Sequence, residues 1–116
     1  VIGQIIPWNS PLLMTAWKLA PALSAGNCVV LKPAGQTPLP FTLFIEPIAD
    51  LLPGGVLNMV HGFGCEAGEA LAANPCIAEV VFTGSTKTGG HILQLAAKKL
   101  IPSAVKVGVE IPEYFL

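Results

Sequence analysis

The chain has 116 residues, a net charge of −1, 53% hydrophobic residues and only 11% charged ones. That length supplies one compact domain, and the near-neutral charge argues against nucleic acid or an anionic membrane surface as a partner. The longest apolar stretch, Leu12 to Leu31, is broken by Lys18, Pro21, Gly26 and Asn27; a membrane span needs about 18 apolar residues without interruption, so the low charge reads as the mark of a piece whose surface is covered by the remainder of a longer protein or by a second copy.

In chain order, Val1–Ile6 reads as a strand stopped by Pro7. Ser10 is positioned to cap a helix whose first residue is Pro11, where a missing N–H costs nothing. Leu12–Ala25 is apolar nearly all round and is expected to be buried rather than amphipathic, with a kink at Pro21 and a left-handed stop at Gly26-Asn27. Cys28–Lys32 is a second strand, ended by Pro33. Thr37-Pro38 repeats the cap-and-proline start for a helix over Leu39–Leu52, interrupted at Pro47. Pro53-Gly54-Gly55 is a turn, and Val56–Val60 a third strand. Glu66–Ala73 is a short helix closed by Asn74-Pro75. Glu79–Thr83 is a fourth strand, a helix starts at Ser85 or Thr86 and runs to about Leu100, and Ala104–Val109 is a fifth strand.

Strands alternating with helices predict an α/β fold with a mostly parallel sheet of about five strands and helical crossovers. The strands are apolar runs rather than strict alternators, as a sheet covered on both faces requires. The expected architecture is Rossmann-like and doubly wound, with ligands bound beyond the carboxyl ends of the strands. Cys28, Cys65 and Cys76 form no C-x-x-C pair, so neither a disulfide framework nor a metal site is suggested, and reduced thiols in the cytoplasm are expected. The chain opens on Val1 with no basic leader and closes on Tyr114-Phe115-Leu116, so it is expected to be a partial domain excerpted from something longer.

Phe82-Thr83-Gly84-Ser85-Thr86-Lys87-Thr88-Gly89 runs from a strand into glycine, then hydroxyls, then a helix. Such a turn offers unpaired N–H groups and a helix dipole to a phosphate; read alone, it is equally a capped helix after a tight turn. Gly62-Phe63-Gly64 and Gly68 permit close backbone approach, or serve only as packing glycines. Asn9, read alone, is a turn or cap residue, and Lys32 a solvated lysine at a strand end. His61 and His91 read as surface residues.

Taken together, Pro7-Trp8-Asn9, Leu31-Lys32-Pro33-Ala34 with Gln36-Thr37-Pro38, Gly62-Phe63-Gly64 and Phe82-Thr83-Gly84-Ser85-Thr86 resemble the aldehyde dehydrogenase superfamily in order and spacing, over residues 1 to about 102. The resemblance implies a coenzyme-binding domain for NAD or NADP and an aldehyde as the substrate of the complete enzyme. It places Asn9 in half of an oxyanion hole, where an amide is aimed at charge developing on the aldehyde oxygen. Ile5 and Trp8 would line the cofactor cleft, and Lys32 would contact the adenosine ribose. Gly35 stands where the family commonly has a ribose-binding glutamate, which predicts a weakened preference for NAD over NADP. Gly84 and Ser85 map to pyrophosphate contacts, Phe82 and Thr88 beside the cofactor, and Gly62 and Phe63 on the adenine side.

After Pro102 the pattern departs. Lys106 falls where the family has its general-base glutamate and Glu110 where it has a lysine, while Pro112 still matches. The tail over 103–116 is therefore read as divergent. A protonated lysine accepts no proton, and a like unit charge about 4 Å from the nicotinamide ring costs on the order of 4 kcal/mol at an effective dielectric near 20. None of the three cysteines maps to the family's nucleophile. The chain by itself is expected to be inactive; a non-catalytic nucleotide-binding module and an interaction fragment remain as alternatives.

Overall fold

The structure, a computed structural model, describes residues 1–108. Val109, Glu110, Pro112 and the apolar tail Tyr114-Phe115-Leu116 lie outside the described residues. The elements follow as β1 (Ile2–Ile5), α1 (Pro11–Ser24), β2 (Val29–Lys32), α2 (Pro38–Ala49), β3 (Leu57–Met59), a π-helical turn (Gly64–Gly68) leading into α3 (Glu69–Ala72), β4 (Glu79–Gly84), α4 (Thr86–Ala97) and β5 (Ser103–Val107). All strand pairs are parallel, in the order β3-β2-β1-β4-β5. This is the five-stranded, doubly wound Rossmann-like sheet that the alternation of elements predicts.

The two faces of the sheet carry separate cores. Ile2, Ile6, Leu19, Val29, Leu31, Phe41, Ile45 and Leu57 pack between the sheet and α1 and α2. Ile5, Leu71, Ala72, Ile77, Val80, Phe82 and Ile92 pack between the sheet and α3 and α4. The chain reverses its direction across the sheet after β3, which moves the later helices to the opposite face. Gly3 on β1 faces the second core because a Cβ there would stand 3.2 Å from Leu71.

Several local expectations are corrected. Ser10 precedes α1 but makes no side-chain cap; it sits in the left-handed region at φ 54. Thr37 does not cap α2, and its buried hydroxyl has no partner. Prolines at the starts of both helices remove N–H groups that need no acceptor, which lessens the need for a cap. The helix expected over Glu66–Ala73 begins instead at Gly64 as a π turn, with the Gly68 N–H bonded to the Phe63 carbonyl at 3.4 Å. Helix α1 is not buried all round: only Thr15 and Leu19 are buried, while Leu12, Leu13 and Trp17 are about half exposed or more. A helix laid on a sheet covers one stripe, and the described residues supply no layer over the other.

The left-handed stop after α1 forms as expected. Gly26 has φ 76, its N–H bonds Leu23, and the Asn27 N–H bonds Ala22. This is a Schellman closure, and it delivers the chain into β2.

Candidate functional site

Because every strand is parallel, the loops after β1, β2, β3, β4 and β5 leave from one edge. The register fixes which residues meet there. Ile5 lies between Lys32 on β2 and Phe82 on β4, and Thr83 lies beside Lys106 on β5. The sequence-predicted residues are therefore gathered at a single edge, distributed over its two faces.

On the face carrying α3 and α4, Ile5 and Phe82 are buried core residues. Phe82 also closes over Gly84, where a Cβ would come within 2.5 Å of its ring. Gly89 is similarly required, since a Cβ would lie 2.7 Å from Val107 and push α4 off β5. Ser85 caps α4: its Oγ accepts from the Thr88 N–H at 3.2 Å and donates to Thr88 Oγ1 at 2.9 Å. Its hydroxyl proton is thus committed within the cap. The N–H groups of Thr86 and Lys87 belong to the first turn and have no acceptor inside the helix. Residues 85 to 88 are all exposed.

Lys32 departs from the solvated lysine that its position alone suggests. It is 4% exposed, and its Nζ donates to the Pro33 carbonyl at 2.9 Å. Its stem runs under Gly68, where a Cβ would sit 3.8 Å from Cδ. Burial holds its amine below the ordinary range. Gly35, by contrast, is exposed, with nothing within 4 Å of an added Cβ. Gly62 has φ 147, and a Cβ there would meet Ala67 at 2.9 Å, so the turn into the π segment demands glycine. Phe63 is 70% exposed beside it. Trp8 is half exposed in the loop after β1.

On the α1 face, Asn9 opens onto a cavity of about 250 Å³. Ser10, Met14, Trp17 and Lys18 contribute from the start of α1, and Thr83 and Lys106 from the edges of β4 and β5. The structure thus brings Asn9 and Lys106 together, although 97 positions separate them in the chain (106 − 9). A second hollow continues from Trp17 and Lys18 toward Gln4, Asn27 and Glu79. Gln4 is buried; its Nε2 donates to the Lys18 carbonyl at 2.8 Å and its Oε1 has no partner. Lys18 is half-buried, and its amine is pushed down by burial first and by Lys106 second.

Sequence reasoning missed Ser10, Met14, Trp17, Lys18 and Thr83. The spacing of Met14, Trp17 and Lys18 puts them on one helical face, which is a readable signal. The side of the sheet that face meets is not readable without the fold. Ser10 also carries a local cost. A left-handed non-glycine residue is strained by roughly 1–2 kcal/mol, and here the strain falls next to Asn9. His91 on α4 pairs with Glu69 of α3 at 2.9 Å, an exposed tie between helices. Cys28 is half-buried just before β2, while Cys65 and Cys76 are exposed.

The model of the aldehyde dehydrogenase family matches residues 1–113. The chain belongs to the aldehyde dehydrogenase family. The match runs past Pro102 and through Lys106. An acetaldehyde dehydrogenase of Pseudomonas aeruginosa is 64% identical over 115 residues, which is 99% of this chain and 23% of that protein. A fluoroacetaldehyde dehydrogenase of Streptantibioticus cattleyicolor is 60% identical over the same share of each. A betaine aldehyde dehydrogenase of Staphylococcus aureus, solved in complex with NAD+, superposes with a TM-score of 0.90 at 38% identity, over 92% of this chain and 22% of that one. The chain therefore spans about a quarter of the length of the aldehyde dehydrogenases it matches.

Proposed function

We propose that the chain is the NAD(P)-binding portion of an aldehyde dehydrogenase, which oxidises an aldehyde to a carboxylic acid. One observation carries the reading: β1 and β4 are adjacent and parallel, so Asn9 and the start of α4 leave from the same edge of the sheet. Gly84 and Ser85 would hold the pyrophosphate of NAD or NADP against the open N–H groups of α4. Lys32 and Gly35 stand on the ribose side, Gly62 and Phe63 on the adenine side, and Ile5, Trp8, Phe82 and Thr88 wall the cleft. The fit is supported by the exposure of residues 85 to 88 and by the open space at Gly35.

When bound, the cofactor supplies the hydride acceptor. The Asn9 amide donates to the aldehyde oxygen as negative charge develops on it. Lys106 stands where the family's general-base glutamate stands, and no cysteine here matches the family's nucleophile. These 116 residues alone therefore turn over no aldehyde. The remainder of the enzyme or a second copy covers the apolar face of α1, and the enzyme works in the cytoplasm. A non-catalytic fragment is the second reading: the replacements at Lys106 and Glu110 favour a nucleotide-binding module, and the high apolar fraction favours an interaction fragment.

Titration with NAD and NADP tests the first reading. Both are expected to bind, with affinities within about tenfold of each other. Gly35→Glu, placed in open space, is expected to weaken NADP relative to NAD by at least about tenfold, because its carboxylate repels the 2′-phosphate. Absence of binding by either dinucleotide would leave the interaction fragment. Aldehyde-dependent NAD(P)H formation that vanishes on substituting one of the three cysteines would overturn the predicted inactivity.

A further inference from the structure

Ile2, Gln4 and Ile6 alternate toward α1, and Gln4 is the polar residue between two apolar core positions. Its Nε2 donates to the Lys18 carbonyl of α1 at 2.8 Å, while its Oε1 is buried with no partner among the described residues. A buried acceptor without a partner costs at least as much as one hydrogen bond contributes net, and an apolar side chain avoids that cost. Gln4 therefore adds little stability, and what it supplies is direction. β1 is the middle strand and is fixed by pairing on both sides. Helix α1 is held less closely, with only Thr15 and Leu19 buried. Apolar contacts are non-directional, so they keep α1 on the sheet without setting its slide along β1. The Gln4 amide sets it.

Between Ile6 and α1 lie Pro7, Trp8, Asn9 and Ser10. Both ends of this link are anchored: the Ile6 N–H bonds the Lys32 carbonyl at 3.2 Å, and the Ser10 carbonyl accepts from the Met14 N–H at 3.0 Å. Pro7 and Pro11 fix φ at either end. The remaining mismatch falls on Ser10, at φ 54 and ψ 51. A non-glycine residue persists in that region only when its surroundings over-determine it. We infer that Gln4 is a positioning residue for Asn9: its amide locks α1 against β1, and the locked frame holds Asn9 at the wall of its cavity, with the strain taken up at Ser10. The inference rests on the proposed role of Asn9 as donor to the aldehyde oxygen. Such a donor works best when it does not reorganise as charge develops, and a short link clamped at both ends meets that need.

The test combines NMR and urea denaturation of the chain with Gln4→Met, Ser10→Gly and the double variant. In the parent, a Gln4 Nε2 proton is expected to exchange with solvent at least about tenfold more slowly than those of exposed Gln36. Gln4→Met is expected to shift the Asn9 side-chain amide resonances while the urea midpoint stays near that of the parent. Ser10→Gly is expected to raise the midpoint in the parent and to raise it less in the Gln4→Met background, where the link is already released. The Gln4 side chain and Ser10 share no hydrogen bond, so this non-additivity reports the frame between them. Additive midpoints, unmoved Asn9 resonances or Gln4 exchange as fast as that of Gln36 would overturn the inference and leave Gln4 a packing residue. Should Gln4→Met not fold, Ser10→Gly decides: relief of the strain is expected to slow Gln4 Nε2 exchange, and unchanged exchange overturns the inference. A parallel NAD titration reports at Ser85 and Thr88, so loss of dinucleotide binding with the coupling of Gln4 to Asn9 intact would count against the proposed function alone.

Discussion

Lys18 shows how one side chain couples the cavity to stability. Burial, and then Lys106, holds its amine below the ordinary value of 10.5. The native protein therefore releases this proton at a lower pH than the unfolded chain does. Between the lowered value and 10.5 the unfolded chain carries more protons, so stability rises with pH across that alkaline window. At neutral pH both states are protonated and the penalty is present in full. Lys32, lowered by burial, contributes with the same sign. Lys18→Met is thus expected to be more stable than the parent at neutral pH, with a smaller gain as pH rises toward 10.5. Thermal unfolding followed at several pH values checks this, and an unchanged alkaline slope would show that Lys18 is not the source. The variant leaves the Lys18 backbone carbonyl in place for Gln4.

Helix α4 carries both a structural duty and a candidate binding duty at its first turn, and the two can be separated. Ser85 accepts from the Thr88 N–H, so its oxygen satisfies one of the orphan donors of the helix. Ser85→Ala is expected to lower stability by about 1 kcal/mol, the usual cost of a lost cap. Ser85→Asp keeps a capping oxygen and favours the helix dipole, yet places a negative charge where the pyrophosphate is proposed to rest. It is expected to unfold at or above the parent temperature while binding NAD more weakly. Chemical denaturation together with dinucleotide titration of both variants reads the two effects apart. If the Asp variant bound NAD as well as the parent, the start of α4 would not be the phosphate site. Farther along the helix, Gly89 lets α4 approach Val107, so the same element is held at both its cap and its packing face.

Across the whole molecule, apolar surface remains uncovered. Leu39 and Leu43, one turn apart on α2, are 72% and 69% exposed, and Leu51 and Phe63 are 82% and 70% exposed. Leu39 and Leu43, four residues apart, are neighbours on the surface of α2 rather than scattered singly. The chain in isolation is expected to self-associate, with a sedimentation coefficient that rises with concentration, and the double variant Leu39→Gln/Leu43→Gln is expected to weaken that rise. A monomer at every concentration would mean that these leucines are tolerated in water. No helix among the described residues is long and apolar enough to cross a membrane.

Much of this was written locally. The alternation of apolar runs with helical stretches determined the α/β class and the five strands, because periodicity and glycine–proline punctuation act within a few residues. Gly26 had to be left-handed, and Gly84-Ser85 had to open a helix, for the same local reasons. Motif order also carried the family resemblance. What the sequence left open depends on which face of the sheet an element meets. Only the crossover after β3 decided that Phe82 packs with α4 while Lys106 turns toward α1, and that Lys32 is buried beneath Gly68 rather than solvated. Asn9, Lys18 and Lys106 share a cavity because parallel pairing of β1, β4 and β5 brings distant segments side by side, a relation that no local propensity encodes.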